Sequence, residues 1–426
     1  MSSVAHLNSS AGLAALRELF GPGNFLGSLS AMRRELGYIF SPALPGFNPV
    51  VLSGPQASHY ALTEGRAHLR WRAPSDPVTQ LLGHGLLVED GASHDELRRA
   101  LMPSLHRQQV AASIAGMWSR TNQVLDTWQP GGRYDMLLEM RRAALLILME
   151  ALFHTDATAQ LDRLIPATLE LLKFISPGAW LLGLPHRKAE KALAQIDAYF
   201  YGLIASRRAQ PLGEDALLSR LIRSGMGDAL IRDQALTLFI AGYDTSTALL
   251  AWCLYLIGRN PDVREQLQRE ADGLPADRAP TPEELESLTF FGQVINETMR
   301  LYPPIHVGNR LAAEALQVGG VDIRPDERVM ISYYATHHDE AYWPEPERFD
   351  PGRFDPGQKH APYTYLPFGG GPRNCLGVHF AQGETKVVLA RLFQRYDLAL
   401  LNRKVHLHMG ATLEPRPGVF MQVSAR

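Results

Sequence analysis

Phe368-Gly369-Gly370-Gly371-Pro372-Arg373-Asn374-Cys375-Leu376-Gly377 is the stretch that decides how the rest of this chain is read. Its glycines let the backbone fold tightly around the Cys375 sulfur and aim amide N–H groups at it. Arg373, two residues before the cysteine, is placed to meet an anionic group on a ligand. An ordinary buried thiol is the plainer reading of a lone cysteine among glycines. The chain holds one other cysteine, Cys253, in the apolar run Leu249–Leu256, where it reads as a small core residue. Two cysteines so far apart make no disulfide framework, which suits a reducing cytoplasm.

Working outward, the residues from Phe354 to Asn374 look loop-like, and so long a loop in a compact domain is usually functional. A helical pattern follows from Val378 to Tyr396. Upstream, short strands are expected at Val318–Ile323 and Arg328–Tyr334, and another at Pro49–Leu52. From about Ser93 to Leu301 the 3.6-residue apolar period dominates, with its longest helix running from about Asp228 to Gly258. The pattern predicts a mainly α (α+β), helix-rich fold with small sheets, as one domain over 1–426. A hydrophobic content of 46% and a charged content of 20% fit a globular chain of 426 residues with a sizeable core. The net charge of −2 gives no footprint for nucleic acid. The start, Met1-Ser-Ser-Val, carries no secretory pattern. No stretch is expected to reach spanning length, the best candidate being Ala143–Phe153, interrupted by Glu150. A soluble cytoplasmic protein is the expectation.

Three further constellations carry chemistry. Ser93-His94-Asp95-Glu96 has the spacing of a capping box, and His94 and Arg98, four apart, share a helix face and can both donate to a carboxylate. With Arg99 and Arg107 nearby, a solvated basic face is the bland alternative. Phe239-Ile240-Ala241-Gly242-Tyr243-Asp244-Thr245-Ser246 puts a polar pair beside a glycine in the middle of an apolar helix. Mid-helix glycine is unfavourable by about 1 kcal/mol relative to alanine, so the run needs a reason, either a local kink or a site. Glu297 and Arg300 are an i, i+3 ion pair of little meaning alone, but Leu301-Tyr-Pro-Pro304 follows, with Cys375 further on.

Taken together these motifs resemble the cytochrome P-450 family, the haem-thiolate monooxygenases. F-x-x-G-x-R-x-C-x-G, A-G-x-D-T-S and E-x-x-R followed by L-Y-P-P all stand here in the family's order, over roughly Gly83 to Gly410. The resemblance implies the family fold, with a long central oxygen-binding helix, and haem b with Cys375 as its iron ligand. It places Phe368, Gly369 and Gly377 around that cofactor, and His94, Arg98, Arg310 and Arg373 on its carboxylates. His94 stands where the family has tryptophan; it still donates, but its charge depends on pH. Ala241 and Gly242 would form the oxygen groove, Thr245 hold water or dioxygen, and Asp244 relay protons. Glu297, Arg300 and Arg353 would form a structural triad that holds the cysteine loop. Two arginines compete for the third place, and the family order after Trp343 selects Arg353 over Arg348.

The resemblance also implies a separate electron donor, a ferredoxin with its reductase, docked on a basic face supplied by Arg98, Arg99, Arg107 and Arg373. The substrate is expected to be lipophilic, such as a fatty acid, terpenoid or carotenoid. Leu81, Leu82, Phe239, Ile240, Ile305 and Val307 are the expected pocket residues, with Trp180–Leu182 and Phe174–Ile175 as further apolar segments. A phosphate-binding loop is excluded, since Gly369–Gly371 lacks G-K-[ST]. A cysteine nucleophile has no base at suitable spacing. The remaining rivals share the haem thiolate: a peroxide-using enzyme, a rearrangement catalyst, or a haem-binding sensor.

Overall fold

The apolar run after Asp228 folds as one helix, Asp228–Arg259, with Asp228 in its first turn and Arg259 in its last, each complementing the helix dipole. It is apolar all round and therefore buried all round. It is also the one helix among the described residues long and apolar enough to cross a membrane, yet most of it lies inside its own unit, as a core helix does. Its length matches the sequence expectation of Asp228 to Gly258, but the expectation that no stretch reaches spanning length is corrected: Asp244 and Thr245 are too few polar residues to break the apolar run. The computed structural model describes residues 5–6, 9–20, 24–42, 48–176, 187–211, 213 and 216–426. Trp180–Leu182 falls outside them.

The chain divides into two compact units that interleave in sequence, Met1–Asp76 with Asn296–Cys375, and Pro77–Ile295 with Leu376–Arg426. The first carries a mixed sheet in the order Ala5–His6, Ile39–Ser41, Val50–Leu52, Arg328–Ser332, Val307–Ala312, Leu69–Arg70. Val50–Leu52 runs parallel to Arg328–Ser332, which pairs antiparallel with Val307–Ala312 through Asn309 opposite Met330 and Arg310 opposite Val329. Along Val307–Ala312 burial alternates, and Gly308, Arg310 and Ala312 share the buried face. The edge strand Leu69–Arg70 pairs with Ala312 and Leu311, so the residues after it emerge beside Arg310.

The second unit is built on helices: Gly91–Leu101, Arg107–Leu125, Met136–Phe153, Leu161–Ile175, Arg187–Ala209, the central helix and Val378–Arg395. A small antiparallel sheet of Arg133–Asp135, Phe420–Ala425 and Tyr396–Leu400 and a hairpin, His406–Met409 with Leu413–Arg416, complete it. The helix-rich α+β class matches the sequence expectation, and the helix after the cysteine begins at Val378 as read.

Three local expectations are corrected. The helix bearing His94 starts at Gly91 with Asp90 as its N-cap and no side-chain cap, so Ser93 makes no capping box there; Gly91 at φ +58° lets the chain turn in earlier. Val318–Ile323 is a hairpin, Leu316–Val318 with Val321–Ile323, because Gly319 and Gly320 take φ +55° and +82° between them. The strand from Arg328 ends at Ser332, whose hydroxyl accepts from Ala335 N–H and caps a short helix, Tyr333–His337.

Candidate active site

The cysteine loop is held by backbone geometry. At Gly371, φ is +65° and an added Cβ would lie 2.0 Å from the Leu62 carbonyl oxygen, so only glycine fits. Asn374 N–H donates to the Gly371 carbonyl (3.1 Å), and Cys375 N–H donates to Phe368 (2.9 Å). The amide of Cys375 therefore closes the loop on itself instead of serving the sulfur. Cys375 is exposed, whereas Cys253 is fully buried in the central helix. Phe368, Gly369 and Gly377 are all half-buried along the same loop.

Behind the loop, within the first unit, lies a cluster of cations. Arg310 is buried, not at a strand surface, and its guanidinium stacks 3.6 Å from the centre of the Trp71 ring. Arg373 stacks on the same ring at 4.3 Å. The sheet thus brings together two of the four residues expected on carboxylates. The other two belong to the second unit, where His94 is buried and Arg98 half-buried one turn later in the same helix. His94 Nδ1 lies 2.8 Å from an Asp95 carboxylate oxygen. That acceptor requires the proton on Nδ1, which fixes the tautomer of the neutral ring.

The central helix has one opening. Every residue from Ile231 to Ile257 is buried except Ala241, Gly242 and Thr245. Thr245 Oγ1 donates back to the Ala241 carbonyl (2.7 Å). The absent side chain of Gly242 admits Leu148 of helix Met136–Phe153, whose Cδ1 would lie 2.8 Å from a Cβ. The glycine thus serves close helix packing, while its partly accessible backbone borders the opening. Asp244 is buried and held by Arg141 Nη1 (3.1 Å) and Thr412 Oγ1 (2.8 Å). Arg141 also binds Glu414, which pairs with Arg416 at 2.9 Å. Burial pushes the Asp244 carboxyl up; Arg141 opposes this and Glu414 reinforces it.

Glu297 and Arg300 form a fully buried bidentate pair at 2.7 and 2.9 Å. Arg353 Nε stands 3.5 Å from Glu297, and its Nη2 donates to the Pro344 and Glu345 carbonyls. Arg348 is mostly exposed and pairs with Glu345 at 3.1 Å, offering only its carbonyl to Arg300. Arg300 also donates to the His337 carbonyl (2.9 Å). Burial pushes His337 down to about 3, and its neutral Nε2 accepts Leu366 N–H at 2.7 Å, just ahead of the cysteine loop. Burial raises Glu297 as well, against the pull of Arg300.

Of the expected pocket residues, Leu81, Leu82, Phe239 and Ile240 are buried in the second unit. Phe239 packs 5.4 Å from the Phe200 ring and 5.9 Å from Tyr243, as core. Ile305 is exposed and Val307 half-buried, both in the first unit.

The cytochrome P450 family model matches residues 15–419. This chain belongs to the cytochrome P450 family. It is similar to cyclooctatin synthase of Streptomyces melanosporofaciens, 30% identical over 87% of this chain and 84% of that protein. It is also similar to the chloroplastic carotene epsilon-monooxygenase of Arabidopsis thaliana, 27% identical over 98% of this chain and 85% of the other. Among solved structures, retinoic-acid-bound cyanobacterial CYP120A1 superposes with a TM-score of 0.86 at 26% identity, covering 97% of this chain and 96% of that one. The chain is thus a cytochrome P450 monooxygenase, and haem is the family's cofactor.

The donors present fit that cofactor: an accessible thiol, an accessible notch in the central helix, and an excess of guanidinium over carboxylate around Trp71. Sequence reasoning missed several residues of this cytochrome P450. Arg141 and Thr412 hold Asp244 across chain separations of 103 and 168 residues, and Glu414 holds Arg141 across 273, which no local pattern reports. Glu384, fully buried on Val378–Arg395, accepts from Ser246 and is pushed up to about 8 by burial. Its signal was a carboxylate on the apolar face of a helix.

Proposed function

We propose that this cytochrome P450 hydroxylates a lipophilic isoprenoid, a terpenoid or a carotenoid, using O2 and electrons from a separate ferredoxin and its reductase. The observation that carries the reading is the opening at Ala241, Gly242 and Thr245 in an otherwise buried helix. Such an opening places a hydroxyl where a small ligand can meet it. Similarity to cyclooctat-9-en-7-ol 5-monooxygenase and to carotene epsilon-monooxygenase, and to a cytochrome solved with retinoic acid, supports the isoprenoid class.

In this reading the whole chain, 1–426, works as one cytochrome P450 domain. Cys375 is the iron ligand of haem b, and His94, Arg98, Arg310 and Arg373 hold its carboxylates. Bound there, thiolate-ligated haem supplies the electron push that favours O–O cleavage. One oxygen atom enters a C–H bond of the substrate. The other leaves as water with two electrons and two protons. Thr245 holds the proton donor at the oxygen, and Asp244 supplies protons when Arg141 and Thr412 release it. Glu297, Arg300 and Arg353 keep the cysteine loop in place. Leu81, Leu82, Ile240, Ile305 and Val307 contact substrate. We place the protein in the cytoplasm, with its long apolar helix buried and its cysteines unbridged.

The engagement of Asp244 by Arg141 and Thr412 favours one second reading, peroxide as the oxidant, because peroxide brings its own electrons and protons. Turnover of an isoprenoid with hydrogen peroxide alone, faster than with ferredoxin and reductase, selects it. The main test is the reduced protein under carbon monoxide. We expect the red-shifted Soret band of a thiolate, lost in Cys375→Ser. A band at the position of histidine-ligated haem in undamaged wild type overturns the reading.

A further inference from the structure

No motif singles out His337. It ends the short helix Tyr333–His337 and belongs to the first unit, as do Arg300, Leu366 and Cys375. It is fully buried, and it is held at two points. Its carbonyl accepts from Arg300 Nη1 at 2.9 Å, and Arg300 is fixed in turn by the bidentate pair with Glu297. Its ring serves a different segment: Nε2 accepts the Leu366 N–H at 2.7 Å. An imidazole nitrogen that accepts carries no proton, so the ring is neutral with its hydrogen on Nδ1. Burial first, and then the neighbouring His338 and Arg300, hold it in that form.

Leu366 is itself buried, so its N–H has no water to turn to, and a buried donor left without a partner is costly. The residue stands at the head of the turn that presents the sulfur. Its carbonyl accepts from Gly369 N–H at 3.1 Å. Two residues on, the Phe368 carbonyl accepts from Cys375 N–H at 2.9 Å. Gly369 takes φ +69° inside this turn, a conformation that only the bonds around it keep in place. Leu366 thus gives its N–H to the imidazole and its carbonyl to the loop. Between the buried ion pair and the cysteine loop, His337 is the connecting residue: backbone tied to Arg300, ring tied to Leu366.

We propose that His337 is a positioning residue for the iron ligand: by joining the Glu297–Arg300 pair to the Leu366 N–H, it fixes the turn from which the Cys375 sulfur is presented. The inference rests on the haem-thiolate reading above and deepens it. His337 acts through the backbone of the loop and touches none of the reacting atoms. What the loop needs is an acceptor at the place of Nε2, not an imidazole as such. The amide oxygen of a glutamine reaches the same place, whereas leucine fills comparable space and offers no acceptor.

The test compares the protein as isolated with His337→Gln and His337→Leu, in two readouts. The first is amide hydrogen exchange of the segment 366–375, followed by mass spectrometry. His337→Leu is expected to exchange there about ten-fold faster than wild type, as the loss of one buried acceptor implies, and His337→Gln to stay near wild type. The second is the persistence of the red-shifted thiolate Soret band in reduced protein under carbon monoxide. It is expected to decay about ten-fold faster in His337→Leu and at the wild-type pace in His337→Gln. Exchange and decay in His337→Leu that match wild type overturn the proposal. So does a His337→Gln variant as fast as His337→Leu, since the shape of the ring and not its acceptor would then matter. Should His337→Leu fail to fold, His337→Asn, whose oxygen stops one bond short, takes its place with the same expectation. If wild type shows no thiolate band, the haem reading fails, while exchange alone still decides whether His337 holds the turn.

Discussion

Two arginine clusters in the first unit are built from the same side chains and come out differently. Around Glu297, Arg300 finds a carboxylate in bidentate geometry and two carbonyls, and Arg353 finds the same carboxylate and two carbonyls. Asp350 N–H adds a donor to Glu297 at 3.0 Å. Around Trp71, Arg310 and Arg373 stack on the indole ring, and Arg328 takes the carboxylate of Asp76. In the first cluster a buried carboxylate organises the guanidiniums, and in the second an aromatic face does. A bidentate ion pair fixes its arginine in one geometry, whereas a stacked guanidinium keeps its N–H edges directed outward from the ring.

The comparison can be broken first at the carboxylate-centred cluster. Arg353→Ala leaves Glu297 with Arg300 and the Asp350 N–H but removes a cation 3.5 Å away and the donor to two carbonyls, so it should destabilise by about 1–3 kcal/mol. Arg348→Ala removes an exposed pair to Glu345 and should change stability by no more than about 0.5 kcal/mol. Urea unfolding of both variants checks this. Equal losses from the two would mean that the contact at 3.5 Å does not bind the network.

How much of this was legible in the sequence follows from chain distance. The cysteine loop, Asp244–Thr245 and Glu297–Arg300 are each written within a few residues, so the motif and the site coincide. Choosing Arg353 over Arg348 needed only the order of residues after Trp343, and in the structure it is Arg353 that approaches Glu297. A second reason for Gly242 was not legible, because what fills its missing side chain, Leu148, comes from another helix. Trp71 and Arg72 follow an unremarkable edge strand, and only strand pairing with Leu311 and Ala312 brings them beside Arg310. Likewise the expected docking patch omitted Glu286, which pairs with Arg107 from a later helix and offsets its charge. Contacts set by tertiary pairing have no local period to read.

Glu384 extends the comparison to a carboxyl that has no cation at all. Buried, with a hydroxyl from Ser246 as its hydrogen-bond donor, it is pushed from an ordinary 4.5 to about 8. A carboxyl whose folded value is raised stabilises fully below its unfolded value, and the contribution is lost as pH rises through the folded one. Stability should therefore fall between about pH 4.5 and 8, by roughly 4 kcal/mol at the far end. Glu384→Gln keeps an acceptor for Ser246 and removes the charge, so its stability should be flatter and should exceed wild type at alkaline pH. Thermal melts of both proteins across that range decide it. Parallel curves would mean that the ionised carboxyl finds a partner in place.

A small effect on stability is expected where a polar group is met locally but stands in the open. Thr245 gives its hydroxyl hydrogen to the Ala241 carbonyl at 2.7 Å, yet both residues are accessible in the opening of the central helix. A hydrogen bond of this kind contributes about 0.5–1.5 kcal/mol, and mid-helix threonine gives part of that back through its poor helix propensity. Thr245→Ala should thus change the unfolding free energy by no more than about 1 kcal/mol. Its effect should appear instead in what the electrons do. With the hydroxyl gone, the proton donor is no longer held at the oxygen, and NAD(P)H consumed through added ferredoxin and reductase should yield peroxide in place of hydroxylated product. Thr245→Ser, which restores the hydroxyl, should recover most of the product ratio. If Thr245→Ala loses several kcal/mol while keeping its ratio of product to NAD(P)H, the hydroxyl belongs with Glu297 and Arg300, as part of the frame. If stability holds and the ratio falls, the hydroxyl works on the chemistry in the opening and not on the frame.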